Sequence, residues 1–123
     1  MNSKEVLRQV AQACDDKQAK NITALDMQEV SLVADYFLIC HGNTERQVQA
    51  IARAIKDTME EMDLSIKRME GFEQARWILV DLDDVVCHVF HKDERSYYNL
   101  ERLWGDAEQV DLPIETAGND YEL

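Results

Sequence analysis

Apolar residues recur at Val48, Ile51, Ala52, Ile55, Met59 and Met62. That stripe has the 3.6-residue period of an amphipathic helix, and its methionines read as core filler. Thr44 precedes it as an N-cap with Gln47 three residues on, the pattern of a capping box. A second stripe, Val6, Leu7, Val10, Ala11 and Cys14, predicts a first helix from about Ser3 to Asp16 with Ser3 as its cap. Between the two helices, residues Asn21 to Met27 predict a short strand. Tyr36 to Cys40, being short, aromatic and β-branched, predicts a buried one, and Gly42-Asn43 breaks it. Leu64 to Met69 reads as another strand before a loop at Gly71. Trp77 to Leu82, Asp83-Asp84 and Val85 to Phe90 read as a β-hairpin. Asp93 is positioned to cap a last helix with Tyr97, Leu100 and Trp104 on one face, ended by Gly105. The order α-β-β-α-β-β-β-α predicts a single α/β domain, a mixed β-sheet with flanking helices.

The hairpin has a definite register if Asp83 and Asp84 are its two turn residues. Leu82 then faces Val85, Val80 faces Cys87, and Ile78 faces Val89. These six share one face, since side chains alternate with period two, and that face is wholly apolar core. The other face carries Trp77, Leu79, Asp81, Val86, His88 and Phe90. A core seldom takes Asp81 and His88, and solvent seldom takes Trp77 and Phe90. A protein-binding patch takes both kinds. The alternative is that the last helix covers this face and the polar groups are satisfied locally.

Composition narrows the partners. The 123 residues, one domain's worth, carry 25 acids against 13 Lys and Arg, a formal charge of −12. Nucleic-acid modules depend on clustered Lys and Arg, so a DNA- or RNA-binding role is disfavoured, as is an anionic membrane surface. A basic protein partner fits, because opposite fields speed encounter. Half the charge, −6, falls in residues 106–123, which hold six acids and no base. The expected division is a domain over 1–112 and an acidic, flexible tail over 113–123. No signal-peptide core or membrane span is visible, and the three cysteines (Cys14, Cys40, Cys87) are odd in number and widely spaced. Reduced thiols in a cytoplasm follow.

Two constellations suggest chemistry. Cys40-His41 and Cys87-His88-x-x-His91 hold zinc-ligand types. Strand neighbours point to opposite faces, and His91 lies about 13 Å along from Cys87, so the ligands do not converge. Asp81-x-Asp83 places two acids at i, i+2, a spacing able to hold a divalent cation. Gly71-Phe72 lies ten residues upstream, where a nucleotidyltransferase carries a Gly-Ser turn, yet no basic cluster is apparent to hold triphosphate. The plainer reading makes Asp83-Asp84 a turn.

Several segments together resemble the ribosomal silencing factor family, also called Iojap-related proteins. They are Ala34-Asp35-Tyr36-Phe37, Gly42, Gln47-Val48-x-Ala50-Ile51, Glu70-Gly71, Trp77-Ile78-Leu79-Val80-Asp81, Val85-Val86-Cys87-His88-Val89-Phe90 and Arg95-x-x-Tyr98-x-Leu100-Glu101-x-Leu103-Trp104. Asp83 stands where much of the family is expected to carry a glycine. The resemblance implies a degenerate nucleotidyltransferase-like fold without catalysis, cofactor or metal. It further implies binding to the basic fourteenth protein of the large ribosomal subunit, with little direct RNA contact. There the factor would block joining of the small subunit when nutrients are scarce. It leaves a homodimer of the free factor open. Taken with the hairpin register, it makes Glu70, Trp77, Leu79, Asp81, His88 and Phe90 the expected partner contacts, with Arg95 and Tyr98 of the last helix beside them. The readings from other classes are a nucleotidyltransferase or nucleotide-binding enzyme using Asp81 and Asp83, and an acidic adaptor for some other basic partner.

Overall fold

The computed structural model describes residues 2–32, 34–98 and 107–112. Helix α1 (Ser3–Asp16) is capped by Asn2 rather than Ser3: the Asn2 side-chain oxygen accepts from the Glu5 amide at 2.8 Å. Ser3 sits one residue inside and instead donates its hydroxyl to Asp35 Oδ2 at 2.9 Å, tying the helix start to a distant loop. In α2 (Glu45–Glu61), Thr44 Oγ1 accepts from the Gln47 amide at 3.1 Å, as the capping box requires. The Gln47 side chain reaches one residue past the cap, accepting from the Asn43 amide at 2.7 Å. Its Nε2 donates to the carbonyls of Lys17 and Gln18, so the α2 start is fastened to the α1 end.

Six strands form one sheet: β1 (Lys20–Asp26), β2 (Tyr36–Gly42), β3 (Arg68–Glu70), β4 (Trp77–Asp81), β5 (Val85–His91) and β6 (Glu108–Val110), in the order β3-β4-β5-β2-β1-β6. Only β2 and β5 pair in parallel, so the sheet is mixed, as expected. The expected strand over Leu64 to Met69 is shorter and later, starting at Arg68. Strand β6 was not anticipated. It pairs with the β1 edge through Glu108, Gln109 and Val110, so part of the acidic C-terminal stretch is folded sheet. The proposed tail, 113–123, lies outside the described residues.

Both long helices pack on one face of the sheet. Leu7 and Val10 from α1, and Ile51 and Ile55 from α2, meet Leu38, Ile78, Val80 and Val89 from the strands, none more than 1% exposed. The three cysteines are free and buried in this core. The hydrogen bond with Cys40 and then burial raise the Cys14 thiol well above its ordinary range, and burial does the same for Cys87. These are protonated packing groups, not nucleophiles. The last helix, α3 (Lys92–Tyr98), begins directly after β5. His91 Nδ1, not Asp93, satisfies its first turn by accepting from the Asp93 amide at 3.2 Å. Leu100, Glu101, Leu103 and Trp104, expected on this helix, lie outside the described residues. No described helix is long and apolar enough to cross a membrane.

Candidate protein-binding face

The hairpin register is the one the two-residue turn dictates. Ile78 pairs with Val89, Val80 with Cys87, and the Leu82 amide donates to the Val85 carbonyl at 2.9 Å. Asp83 takes φ +84°, while Asp84 does not have a positive φ. A positive φ at the first turn residue alone is the pattern of a type II′ turn, a place that favours glycine. The backbone is held by the Asp83 amide donating to Asp81 Oδ1 at 2.9 Å.

Alternation puts Trp77, Leu79 and Asp81 of β4 and Val86, His88 and Phe90 of β5 on the face away from α1 and α2. Parallel pairing adds Phe37 beside Val86, Ile39 beside His88 and His41 beside Phe90. On the far side, β3 contributes Glu70 opposite Leu79 and Arg68 opposite Asp81. Chain-distant strands therefore assemble an aromatic cluster. Trp77 stacks on Phe90 at 5.1 Å between ring centroids, and Phe37 meets the His88 ring edge-on at 4.7 Å. Trp77 Nε1 donates to His88 Nδ1 at 3.1 Å.

One end of this face is closed. Phe90, with Leu25, Met27 and Ile39, forms a small second core capped by Val30, Phe37, Trp77 and Ala107. At the same end Arg95 folds back from α3. Its Nη1 donates to the Asn21 carbonyl at 2.7 Å and the Lys20 carbonyl at 3.3 Å and lies 3.1 Å from His41 Nδ1, while Nη2 lies 3.4 Å from Thr23 Oγ1. The other end stays half-exposed. Phe37, Leu79, Asp81, Val86 and His88, with Ala34, Lys67, Arg68 and Asp83, line a cavity of about 380 Å³.

Gly71 holds the entrance to β4. It has φ +83°, and a Cβ there would stand 2.3 Å from the Trp77 carbonyl oxygen, so no other residue fits without moving Trp77. The loop it begins is anchored to α2, where Gln49 Nε2 donates to the Phe72 carbonyl at 2.9 Å and Arg53 lies over the Phe72 ring.

The expected contacts separate into three groups. Trp77, Leu79 and Asp81 are half-buried, Leu79 and Asp81 in the cavity wall and Trp77 against the second core, and Glu70 is exposed on the edge strand with its carboxylate 3.2 Å from Arg68 Nη1. His88 and Phe90 do not project outward as expected: they are 5% and 1% exposed, because β2 and the second core close over them. They support the surface from beneath. Arg95 is likewise committed within the chain, bracing α3 against β1 and β2. Tyr98 ends α3, and its side chain lies outside the described part. Phe37, Lys67 and Arg68 were missed as cavity residues, whereas alternation had already placed Val86 on this face. The period-two run Phe37, Ile39, His41 was the available signal for the first, but only the parallel pairing of β2 with β5 brings it to Val86 and His88.

The carboxylates considered for metal chemistry have partners. Asp81 Oδ2 lies 3.4 Å from Arg68 Nε, and Asp83 Oδ1 lies 3.5 Å from Lys67 Nζ. A cation bridging them would have to displace both. Alternation buries Cys40 and Cys87 on the helix side and places His41 and His88 on the other face. Among the described residues no three metal-ligating side chains converge.

A six-stranded mixed sheet with the two long helices on one face, and an aromatic, partly exposed patch on the other, defines a single α/β domain. The family model described as "Ribosomal silencing factor during starvation" matches residues 1–122. The chain belongs to this ribosomal silencing factor family, whose named role is regulatory. It is 68% identical over 112 residues to the ribosomal silencing factor RsfS of Bacillus subtilis, covering 91% of this chain and 95% of that one. The chloroplastic protein Iojap of Zea mays is 28% identical over 107 residues, covering 87% of this chain and 46% of that one. A crystal structure of a Chromobacterium violaceum protein superposes with a TM-score of 0.84 at 31% identity, covering 95% of this chain and 97% of the other.

Proposed function

We propose that this protein is a cytoplasmic translational repressor that docks the half-exposed end of its second sheet face on the basic fourteenth protein of the large ribosomal subunit. Occupying that place, it keeps the small subunit from joining when nutrients are limiting. The observation that carries the reading is a sheet face on which Trp77, Phe37 and Leu79 stay half-buried, the last two in the wall of a cavity, in a chain of net charge −12. Large aromatics beside a polar rim are the usual anchors of a protein interface, and the acidic chain favours a basic protein over bare RNA. Membership of a family named for ribosomal silencing supports a target on the ribosome.

The action is by occupancy and needs neither catalysis nor a cofactor. A factor that holds the free large subunit but not the joined ribosome shifts the equilibrium by RT ln(1 + [L]/Kd), about 2.7 kcal/mol at a hundredfold excess over Kd. Sedimentation with purified subunits tests this. The protein should travel with free large subunits, more weakly as salt rises, and should reduce the yield of joined ribosomes. Sedimentation with small subunits alone, or with large subunits stripped of the fourteenth protein, would overturn it.

A further inference from the structure

The imidazole of His88 has one nitrogen employed and one without a partner. Trp77 Nε1 can only donate, so His88 Nδ1, 3.1 Å away, is the acceptor. In the neutral ring the proton is then on Nε2. That atom is buried and makes no hydrogen bond. The residue is 5% exposed and lies in the wall of the cavity between Leu79, Val86 and Phe37. A buried donor left unsatisfied costs about 1–3 kcal/mol, so its place in the cavity wall beside Phe37, Leu79 and Val86 calls for a use.

We propose that His88 Nε2–H is a specificity-determining hydrogen-bond donor that takes a main-chain carbonyl oxygen of the docked protein partner. This rests on the proposed docking of the open face and deepens it by naming what enters the cavity. An uncharged acceptor fits better than a carboxylate. The two cations of the cavity wall, Arg68 and Lys67, are already paired with Asp81 and Asp83, the whole chain is acidic, and a basic partner offers few acids. Nε2 is covered in the free protein, so docking must displace a neighbour in the cavity wall, where Leu79 is half-buried and paired with His88 across β4 and β5. The indole and the imidazole then work as a unit: Trp77 fixes the tautomer, and His88 presents the proton.

The test compares affinities of the full chain for purified large subunits. His88→Phe and His88→Leu lack the donor. His88→Gln can accept from Trp77 Nε1 through its oxygen and donate through its amide. Both donor-less variants should bind about tenfold more weakly than wild type, while His88→Gln stays within about threefold of it. Thermal melting confirms that each compared variant is folded. Folded donor-less variants that bind as wild type overturn the proposal, as does a Gln variant as weak as Phe, since ring shape would then be what matters. A second measurement needs no variant. The 15N shifts of labelled histidine in the free protein should report an Nε2–H tautomer for His88, and an Nδ1–H tautomer overturns the proposal. Wild-type protein that fails to bind large subunits at all would instead sink the docking reading itself.

Discussion

Along β4, Ile78 and Val80 point toward the helices and are 0% exposed, while Trp77, Leu79 and Asp81 alternate with them and remain half-buried. Along β5 the contrast is chemical: Val85, Cys87 and Val89 on the helix side, Val86, His88 and Phe90 on the other. Along β4 and β5 the helix-side face is aliphatic apart from Cys87, and it is close-packed by α1 and α2. The other is aromatic with polar tips, closed at the Phe90 end by Arg95 and the second core and unfinished at the Leu79 end. Aliphatic groups suit a permanently dry interior. Aromatic groups carrying an N–H are tolerable in water and still gain from burial, which suits a surface that is alternately wet and covered. Under the proposed docking the faces divide the work: the helix side supplies stability and the second side recognition.

A pair of neighbouring truncations tests that division most strongly. Ile78→Ala removes a fully buried side chain and should cost about 2–5 kcal/mol of stability in denaturant unfolding. Its folded fraction should bind large subunits normally. Trp77→Ala should lose about 2 kcal/mol of binding, on the order of thirtyfold in Kd. Its stability loss should be smaller, about 1–2 kcal/mol from the lost stack on Phe90 and the lost hydrogen bond to His88. Equal stability losses in the two variants, or native affinity in Trp77→Ala, would break the comparison.

Acid should act through the second face. Burial pushes His88 down to about 4 from an ordinary 6.5. Between these values the unfolded chain binds a proton that the folded chain does not. The stability is thus complete above pH 6.5 and falls as pH drops toward 4, by up to about 3 kcal/mol. The helix-side thiols Cys14 and Cys87 are shifted upward and stay protonated throughout this window. Carboxylates elsewhere add their own acid dependence, so the informative quantity is a difference. Denaturant midpoints at pH 7 and 4.5 should separate more for wild type than for His88→Gln. Equal separations would remove His88 as the acid-sensitive group of this face.

The helix side was legible because its signals are local. The Val48–Met59 stripe, the Thr44 cap and the two-residue turn each specify neighbours within a few residues, and the turn fixes which side chains of the hairpin share a face. The second side was legible only in part. Trp77, Leu79 and Asp81 could be placed together from alternation. The burial of Phe90 and His88 could not, because Phe37, Ile39 and Met27 reach them through a parallel pairing and a loop that no local pattern announces. Strand β6 is three residues long and reads Glu108-Gln109-Val110, a polar edge with too few apolar positions to show a period. Arg95 looked like a surface cation, and only its carbonyl partners on β1 reveal a brace.

The smallest expected effect concerns the hairpin tip, where both faces end. Asp83 adopts φ +84°, a conformation in which an L side chain is strained and glycine is not. Its carboxylate is 73% exposed and pairs at 3.5 Å with Lys67, itself 64% exposed, a contact that contributes little in water. The turn is held instead by the Asp83 amide on Asp81 Oδ1, which a glycine retains. Asp83→Gly should therefore raise stability by about 1 kcal/mol, a few degrees in Tm, and leave large-subunit binding unchanged. A folded Asp83→Gly protein that no longer silences ribosomes would show that the carboxylate belongs to the working surface. It would extend the recognition face over the tip and return the Asp81-x-Asp83 pair to consideration as a chemical site.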